Sequence, residues 1–251
     1  MTGSPHAAPI PPPVAVLLGG GVESTLIVSE FLRGGRQVIP VHVHCGLLWD
    51  DAEAEWVDRF LATRSCDRLH PLLSTRLPLA GFLGDHWAVH GRDVPPAGAP
   101  GARLEIPLRN LTLLGIAVHA LKSRRGDDGF GNHVAGAEVS VPYELALGTT
   151  ADNHYADGSR DYFDRCEAVL SLEAGFPVRI LTPLIGLHKR EVLARSDAET
   201  LALSFSCVNP CRDPSTGWPE HCGQCIKCGS RRAAFREAGL VDPTRYAAES
   251  P

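Results

Sequence analysis

A chain of 251 residues is long enough for one sizeable domain with a small appendage and a proper core. Its 44% hydrophobic and 21% charged content is that of an ordinary globular protein, and a net charge of −5 excludes a polycation built to coat nucleic acid while leaving room for a local basic groove. No apolar run approaches the ~18 residues that cross a bilayer. In chain order, residues 1–13 are rich in Pro and Ala, lack a basic start and predict a disordered lead-in. Val14–Leu18 is too short for a secretion signal, which points to a cytoplasmic protein.

Val14–Leu18 predicts a strand, Gly19-Gly20-Gly21 a turn, and Ser24–Leu32 a helix closed by Gly34-Gly35, which is half of a βαβ unit. A second strand is expected over Gln37–His44, an amphipathic helix over Asp50–Ala62 with Trp56, Val57, Phe60 and Leu61 inward, and a third strand over Leu69–Leu73. Pro95–Gly101 reads as a mobile surface loop, Leu108–Leu121 as a buried helix, and Ser123–Gly136 as another loop. Pro142–Leu147 and Val178–Leu181 complete the strands, with helices over Arg160–Leu172, His188–Arg195 and Gly229–Ala238. Strands alternating with helices predict an α/β fold with a Rossmann-like, doubly wound parallel sheet. The expected division is a tail (1–13), an α/β domain (14–205) and a small C-terminal metal-binding helical region (206–248).

The run Leu18-Gly19-Gly20-Gly21-Val22-Glu23-Ser24-Thr25 carries the first chemical signal. Three glycines let backbone N–H groups approach a polyanion, and the following helix points its positive end at the same spot. Ser24 and Thr25 hydroxyls could donate to phosphate oxygens, and Glu23 could hold a magnesium ion or orient the loop. The loop lacks the lysine and spacing of a Walker A motif and is not G-x-G-x-x-G. The plain alternative is a tight strand-to-helix turn. Its place after the first strand of an α/β sheet, where ligands bind, favours phosphate.

The second signal is Cys222-Gly-Gln-Cys225-Ile-Lys-Cys228. Thiolates at C-x-x-C spacing converge on one tetrahedral ion, with Cys207 or Cys211 as fourth ligand and His221 a weaker candidate. In a chain without a secretion signal this favours structural zinc over disulfides. Cys45, Cys66 and Cys166, scattered elsewhere, read as core thiols. Lys227, Arg231, Arg232 and Arg236 read as a solvated helix face or as guides for pyrophosphate or RNA. His42 and His44 read as hydrogen-bonded strand residues.

Taken in order, these segments resemble the 7-cyano-7-deazaguanine (preQ0) synthase family, QueC/ExsB-like, of the N-type ATP pyrophosphatase fold. Gly19–Thr25 is similar to that family's Ser-Gly-Gly-x-Asp-Ser-Thr loop, and Leu108-Arg109-Asn110 to its Gly-Arg-Asn segment. Pro183-Leu184-Ile185 through Lys189 and Glu191, Phe205-Ser206-Cys207, and the closing cysteines with Arg231 and Phe235 to Gly239 match further motifs. The resemblance implies ATP at Leu18, Gly19, Gly20, Gly21, Val22, Glu23, Ser24 and Thr25, and zinc on Cys207, Cys222, Cys225 and Cys228. Candidate catalytic residues are Glu23, Ser24, Arg109 and Lys189; candidate acid-binding residues are Arg109, Asn110, Asp157 and Arg160.

The reaction it implies is adenylation of 7-carboxy-7-deazaguanine, then coupling to ammonia to give an amide and a nitrile, with ATP, Mg2+ and Zn2+. Gly19 and Glu23 stand where the family has serine and aspartate, and Gly158 and Ser159 where its substrate segment has aspartate and cysteine, while Arg160 keeps its place. The expected partners are a small-molecule carboxylate and ammonia, with no membrane, no nucleic acid and, by resemblance, a homodimer. Two other readings remain from the sequence: an ATP pyrophosphatase that modifies tRNA by sulfur transfer, and a non-catalytic zinc-stabilised nucleotide-binding module.

Overall fold

A computed structural model describes residues 13–127 and 142–248. The lead-in expected over 1–13 therefore lies, except for Pro13, outside the described residues, as does the greater part of the loop expected over 123–136.

Five strands form one parallel sheet in the order β3-β2-β1-β4-β5. They are β1 (Val14–Leu17), β2 (Val38–His44), β3 (Leu73–Arg76), β4 (Tyr143–Ala146) and β5 (Val178–Leu181). A central parallel strand is covered on both faces and so reads as a continuous apolar run. In β1, Val14 and Val16 enter one core cluster and Ala15 the other, on opposite faces of the pleat. The strand order reverses beside β1, so the loops leaving β1 and β4 open a crevice at the carboxyl edge.

Helices α1 (Val22–Arg33) and α2 (Asp50–Ala62) follow β1 and β2, and α5 (Arg109–Asp127) and α6 (Arg160–Ala174) follow β3 and β4. Two single-turn helices, α3 (Ala80–Leu83) and α4 (Trp87–His90), precede α5. After β5 come α7 (Lys189–Arg195), α8 (Ala198–Ala202), a two-residue ribbon of β6 (Cys211–Arg212) and β7 (Pro219–Glu220), and α9 (Ile226–Ala238).

Several expectations need correction. The third strand begins at Leu73, not Leu69; residue 69 makes only an isolated bridge to Val38, because Pro71 interrupts the run before Leu73 pairs with Val41. Helix α9 begins at Ile226, since Cys225 already occupies its N-cap. Helix α5 runs on to Asp127, into the segment expected to be loop. The stretch Gly101–Ser123 passes the length and composition of a membrane span, but Arg103, Glu105, Arg109 and Lys122 interrupt it, so it holds no unbroken apolar run of that length. Its apolar stripe of Leu114, Ala117, Val118 and Leu121 is buried in the core beneath the sheet.

Pro95–Gly101 is not a free loop. Pro96 bridges Cys225, the Ala97 N–H donates to the Gln224 carbonyl at 2.8 Å, and the Ile226 N–H donates to the Pro95 carbonyl at 2.8 Å. Of the scattered cysteines, Cys45 and Cys166 are buried but Cys66 is exposed.

Candidate functional site

The glycine loop passes from β1 into α1 with Gly20 at φ +76°, a conformation that side chains rarely adopt, and Gly21 as N-cap. The Gly21 N-cap makes no side-chain bond, and Gly21, Glu23 and Ser24 at the start of α1 lie on the crevice wall. The Ser24 hydroxyl donates to the Gly21 carbonyl at 3.0 Å and also borders the crevice. Thr25 is fully buried, and its hydroxyl donates to the Gly21 and Val22 carbonyls. Val22 lies in the core. The cleft, about 220 Å³, thus has Leu18, Gly19, Gly21, Glu23 and Ser24 of the expected loop on its wall, with Val22 and Thr25 behind it.

Glu23 is held from across the switch point. Lys189 Nζ lies 3.0 Å from its Oε1, and both side chains are largely buried. Burial works to raise the Glu23 carboxyl, but Lys189, then Lys227, outweigh it and hold the group at about 2. Asp152, in the loop after β4, aims the lysine: it accepts from the Lys189 backbone N–H at 2.6 Å and pairs with His188 Nδ1 at 2.7 Å. Gly148 allows the two loops to meet, because a Cβ there would sit 2.6 Å from the Glu23 Cβ.

The opposite wall carries Arg109, at the start of α5, and Glu53, on α2. Arg109 Nε is buried without a hydrogen-bond partner. Glu53 has its carboxylate over Gly19, and burial pushes its pKa up to about 8, only partly offset by Arg109. Lys227 is lowered from its ordinary value chiefly by the like charge of Lys189, then by burial. Leu17, Val41, Val43 and Leu113 give the cleft an apolar end. His42, 2% exposed, has Nδ1 2.8 Å from the Leu18 carbonyl, so that nitrogen carries the proton and props the loop. His44 meets Ser74 at 3.1 Å. With Arg109 on its wall and Lys189 and Lys227 near enough to hold Glu23 ionised, the cleft is suited to a polyanion that has an apolar head.

The expected acid-binding residues divide. Asn110 Nδ2 donates to the Asp157 carbonyl at 3.2 Å, tying α5 to the 3-10 turn Ala156–Gly158. The Asp157 carboxylate makes no hydrogen bond among the described residues. Arg160 is occupied: it donates to Asp164, Glu167, the Ile180 carbonyl and Thr182, which fastens α6 to the end of β5. Neither Asp157 nor Arg160 borders the cleft.

The sulfurs of Cys207, Cys222, Cys225 and Cys228 all lie within 4.8 Å of one another, and the four residues are buried. Separations of 3.8 Å (Cys207–Cys225), 3.9 Å (Cys222–Cys228) and 3.5 Å (Cys225–Cys228) match the ~3.8 Å edge of a tetrahedron with Zn–S bonds of about 2.3 Å. Backbone N–H groups of Asn209 and Cys222 point at the Cys207 sulfur, and those of Gln224 and Cys225 at the Cys222 sulfur, as thiolates require. The donor set fits zinc. Cys211 stands apart on the exposed ribbon. His221 is buried with Nε2 accepting from the Ser206 N–H, and burial, then Arg231, lowers its pKa to about 3.

Arg231 and Arg232 do not form a solvated face. Arg231 is 1% exposed and donates to Ser204, the Leu201 carbonyl and Thr244. Arg232 lies 3.8 Å over the Tyr246 ring and bonds the Gly223 carbonyl. Arg231 clasps the cysteine-bearing segment to Ser204 and Leu201 of the α/β part, while Arg232 ties that segment to itself. Sequence reasoning missed Glu53 as part of the site, and placed Asp152 in a loop near it without a role. Their one signal was position: both follow strands at the carboxyl edge beside the switch point.

The 7-cyano-7-deazaguanine synthase of Pyrococcus furiosus is 30% identical over 157 residues, which are 62% of this chain and 60% of that protein. The synthase of Cellvibrio japonicus is 26% identical over 241 residues, 92% of this chain and 96% of its relative. Among solved structures, a 4-thiouridine synthetase–RNA complex with bound ATP aligns with a TM-score of 0.46 at 14% identity, covering 91% of this chain and 50% of that one. The profile described as queuosine biosynthesis protein QueC matches residues 14–239, nearly the whole α/β domain and the cysteine segment alike, and on that match this chain belongs to the QueC family.

Proposed function

We propose that the protein uses ATP to adenylate a small-molecule carboxylate and couples the activated acid to ammonia, with 7-carboxy-7-deazaguanine as acid and its 7-cyano derivative as final product. The observation that carries this reading is the cleft at the switch point. A glycine loop and an uncapped helix N-terminus face Arg109 and the Lys189–Glu23 pair across a space with an apolar end. Family membership and relatives named 7-cyano-7-deazaguanine synthase support it.

A carboxylate resists ammonia because it is anionic and has no leaving group. Adenylation removes the charge and supplies AMP to depart. In this reading the loop amides, Gly19 to Gly21, hold the phosphates, and Ser24 donates to them once its hydroxyl turns from the Gly21 carbonyl. Lys189 and Arg109 neutralise charge on the departing pyrophosphate. Glu23 keeps Lys189 charged and in place, and would also hold Mg2+, which would supply positive charge to offset that of the phosphates. Zinc on the four cysteines is structural, and holds α9 and Lys227 beside the cleft.

The test is pyrophosphate release from ATP with 7-carboxy-7-deazaguanine and ammonia, with mass analysis of the product. The nitrile or its amide is expected; ATP binding without acid-dependent pyrophosphate release overturns the reading.

A further inference from the structure

We propose that the Glu53 carboxylate is the base that takes the proton from the amine nucleophile as it attacks the activated acid, a role that rests on the ligase reading above. Glu53 stands in the first turn of α2, directly after the β2 edge of the crevice. Its two carboxylate oxygens hang over the glycine loop: a Cβ built on Gly19 would meet them at 3.7 and 3.9 Å. Among the described residues the carboxylate has no hydrogen bond and no cation within 4 Å, although it lines the cleft opposite Glu23.

The two cleft carboxylates are therefore unequal. Glu23 is committed to Lys189 and stays ionised. Glu53 has free lone pairs facing the space where the acyl group would be activated, and burial brings its strength to about 8, near the working pH that a proton acceptor needs. The titratable and charged groups around it are Asp50 on its own helix, Cys45 and His42 from the β2 side, Arg109 from α5, Lys227 from α9 and Glu23 across the cleft.

The ammonia lone pair forms the C–N bond at the acyl carbon, the bond from that carbon to the AMP oxygen breaks with its electron pair leaving on AMP, and one N–H proton passes to a Glu53 oxygen and then to water. Acyl adenylate and ammonia give amide, AMP and a proton.

The test separates the two half-reactions in wild type, Glu53→Gln and Glu53→Asp. Acid-dependent exchange of labelled pyrophosphate into ATP reads adenylation. Single-turnover product formation with ammonia, and with hydroxylamine (a nucleophile already neutral above about pH 7), reads the second step. Glu53→Gln should keep exchange and ATP affinity within about threefold while amide formation falls about 100-fold. Its hydroxamate formation should lose the alkaline rise near pH 8, and Glu53→Asp should restore part of the rate with a shifted profile. Glu53→Gln forming amide at the wild-type rate, or losing exchange in step with amide formation, overturns the role. Wild type without acid-dependent exchange overturns the ligase reading itself, which is a different result from intact exchange with an unaffected Glu53→Gln.

Discussion

Lys189 Nζ lies 3.0 Å from Glu23 Oε1, joining the helix after the fifth strand to the helix after the first. The pair spans the switch point and is largely shielded from water, so neither charge is easily replaced by solvent. Lys189→Met should weaken ATP binding at least tenfold, about 1.4 kcal/mol, and destabilise the fold by about 2–3 kcal/mol at pH 7 by taking from buried Glu23 its ion-pair partner. The stabilisation has a defined acid limit. The folded-state pKa of Glu23 is depressed from 4.5 to about 2, so the contribution is complete above about pH 4.5 and is lost as pH falls towards 2. Urea unfolding of wild type and Lys189→Met at pH 7 and pH 3 checks this; an equal difference at both pH values refutes the assignment.

Gly148 makes the pair possible by close approach. A Cβ at that position would be 2.6 Å from the Glu23 Cβ and 3.1 Å from the Ser24 nitrogen, so Gly148→Ala forces the β4 loop off the start of α1. The expected result is loss of ATP affinity by tenfold or more with only a modest fall in Tm, since the displaced contacts lie at the crevice and not in the core. Calorimetric titration beside thermal unfolding distinguishes this from general misfolding.

How much of this site could be read beforehand depends on whether a residue's role is local. The glycine loop and the C-x-x-C spacings act through near neighbours in sequence, so both were legible. Glu53 was not, because on an amphipathic helix it falls among the polar positions and only the tertiary fold turns it over Gly19. Arg231 looked like a surface cation, yet it is buried against Ser204 and Leu201, which approach from about 30 residues away. Arg160 misled in the other direction: it holds its place in the motif order, but its guanidinium is spent on Glu167, Asp164 and the β5 end.

Zinc binding should not depend on the fifth cysteine of the cluster. Four sulfurs within 4.8 Å of one another leave Cys211 outside. Metal analysis should give one zinc per chain in wild type and in Cys211→Ser, and none in Cys225→Ser. Zinc ties together the segment that Arg231 clasps to the domain, so chelation should lower Tm by on the order of 10 °C or more. A Cys211→Ser protein that loses its zinc would overturn the ligand set.

Leu108 precedes α5 with φ +61°, a left-handed conformation in which its side chain is 71% exposed. A leucine there gains little from burial and carries a steric cost of about 1–2 kcal/mol. The resembling segment of the family has glycine at this position. Leu108→Gly should therefore stabilise the protein by about 0.5–1 kcal/mol after the extra flexibility of glycine in the unfolded chain is counted, a Tm rise of about 2–4 °C. Leu108→Val, β-branched, should do the opposite. Thermal unfolding of both variants decides it.

Glu53 makes stability fall with rising pH, opposite in sense to Glu23. Its folded-state pKa is raised from 4.5 to about 8, so between these values the unfolded chain ionises while the folded protein keeps the proton. The folded state then binds more protons, and unfolding becomes easier as pH rises through that window. Below about pH 4.5 both states are protonated and the effect is absent. Glu53→Gln removes the ionisation altogether, so it should leave Tm unchanged at pH 4.5 and raise it at pH 8 by about 5 °C or more, a gain on the order of a few kcal/mol. A carboxylate kept at such a cost to stability is what a functional group in a cleft predicts, because a glutamine of the same shape would serve the fold better. If Glu53→Gln is no more stable than wild type at pH 8, the carboxylate is solvated or paired, and the pH argument for its strength as a base fails with it.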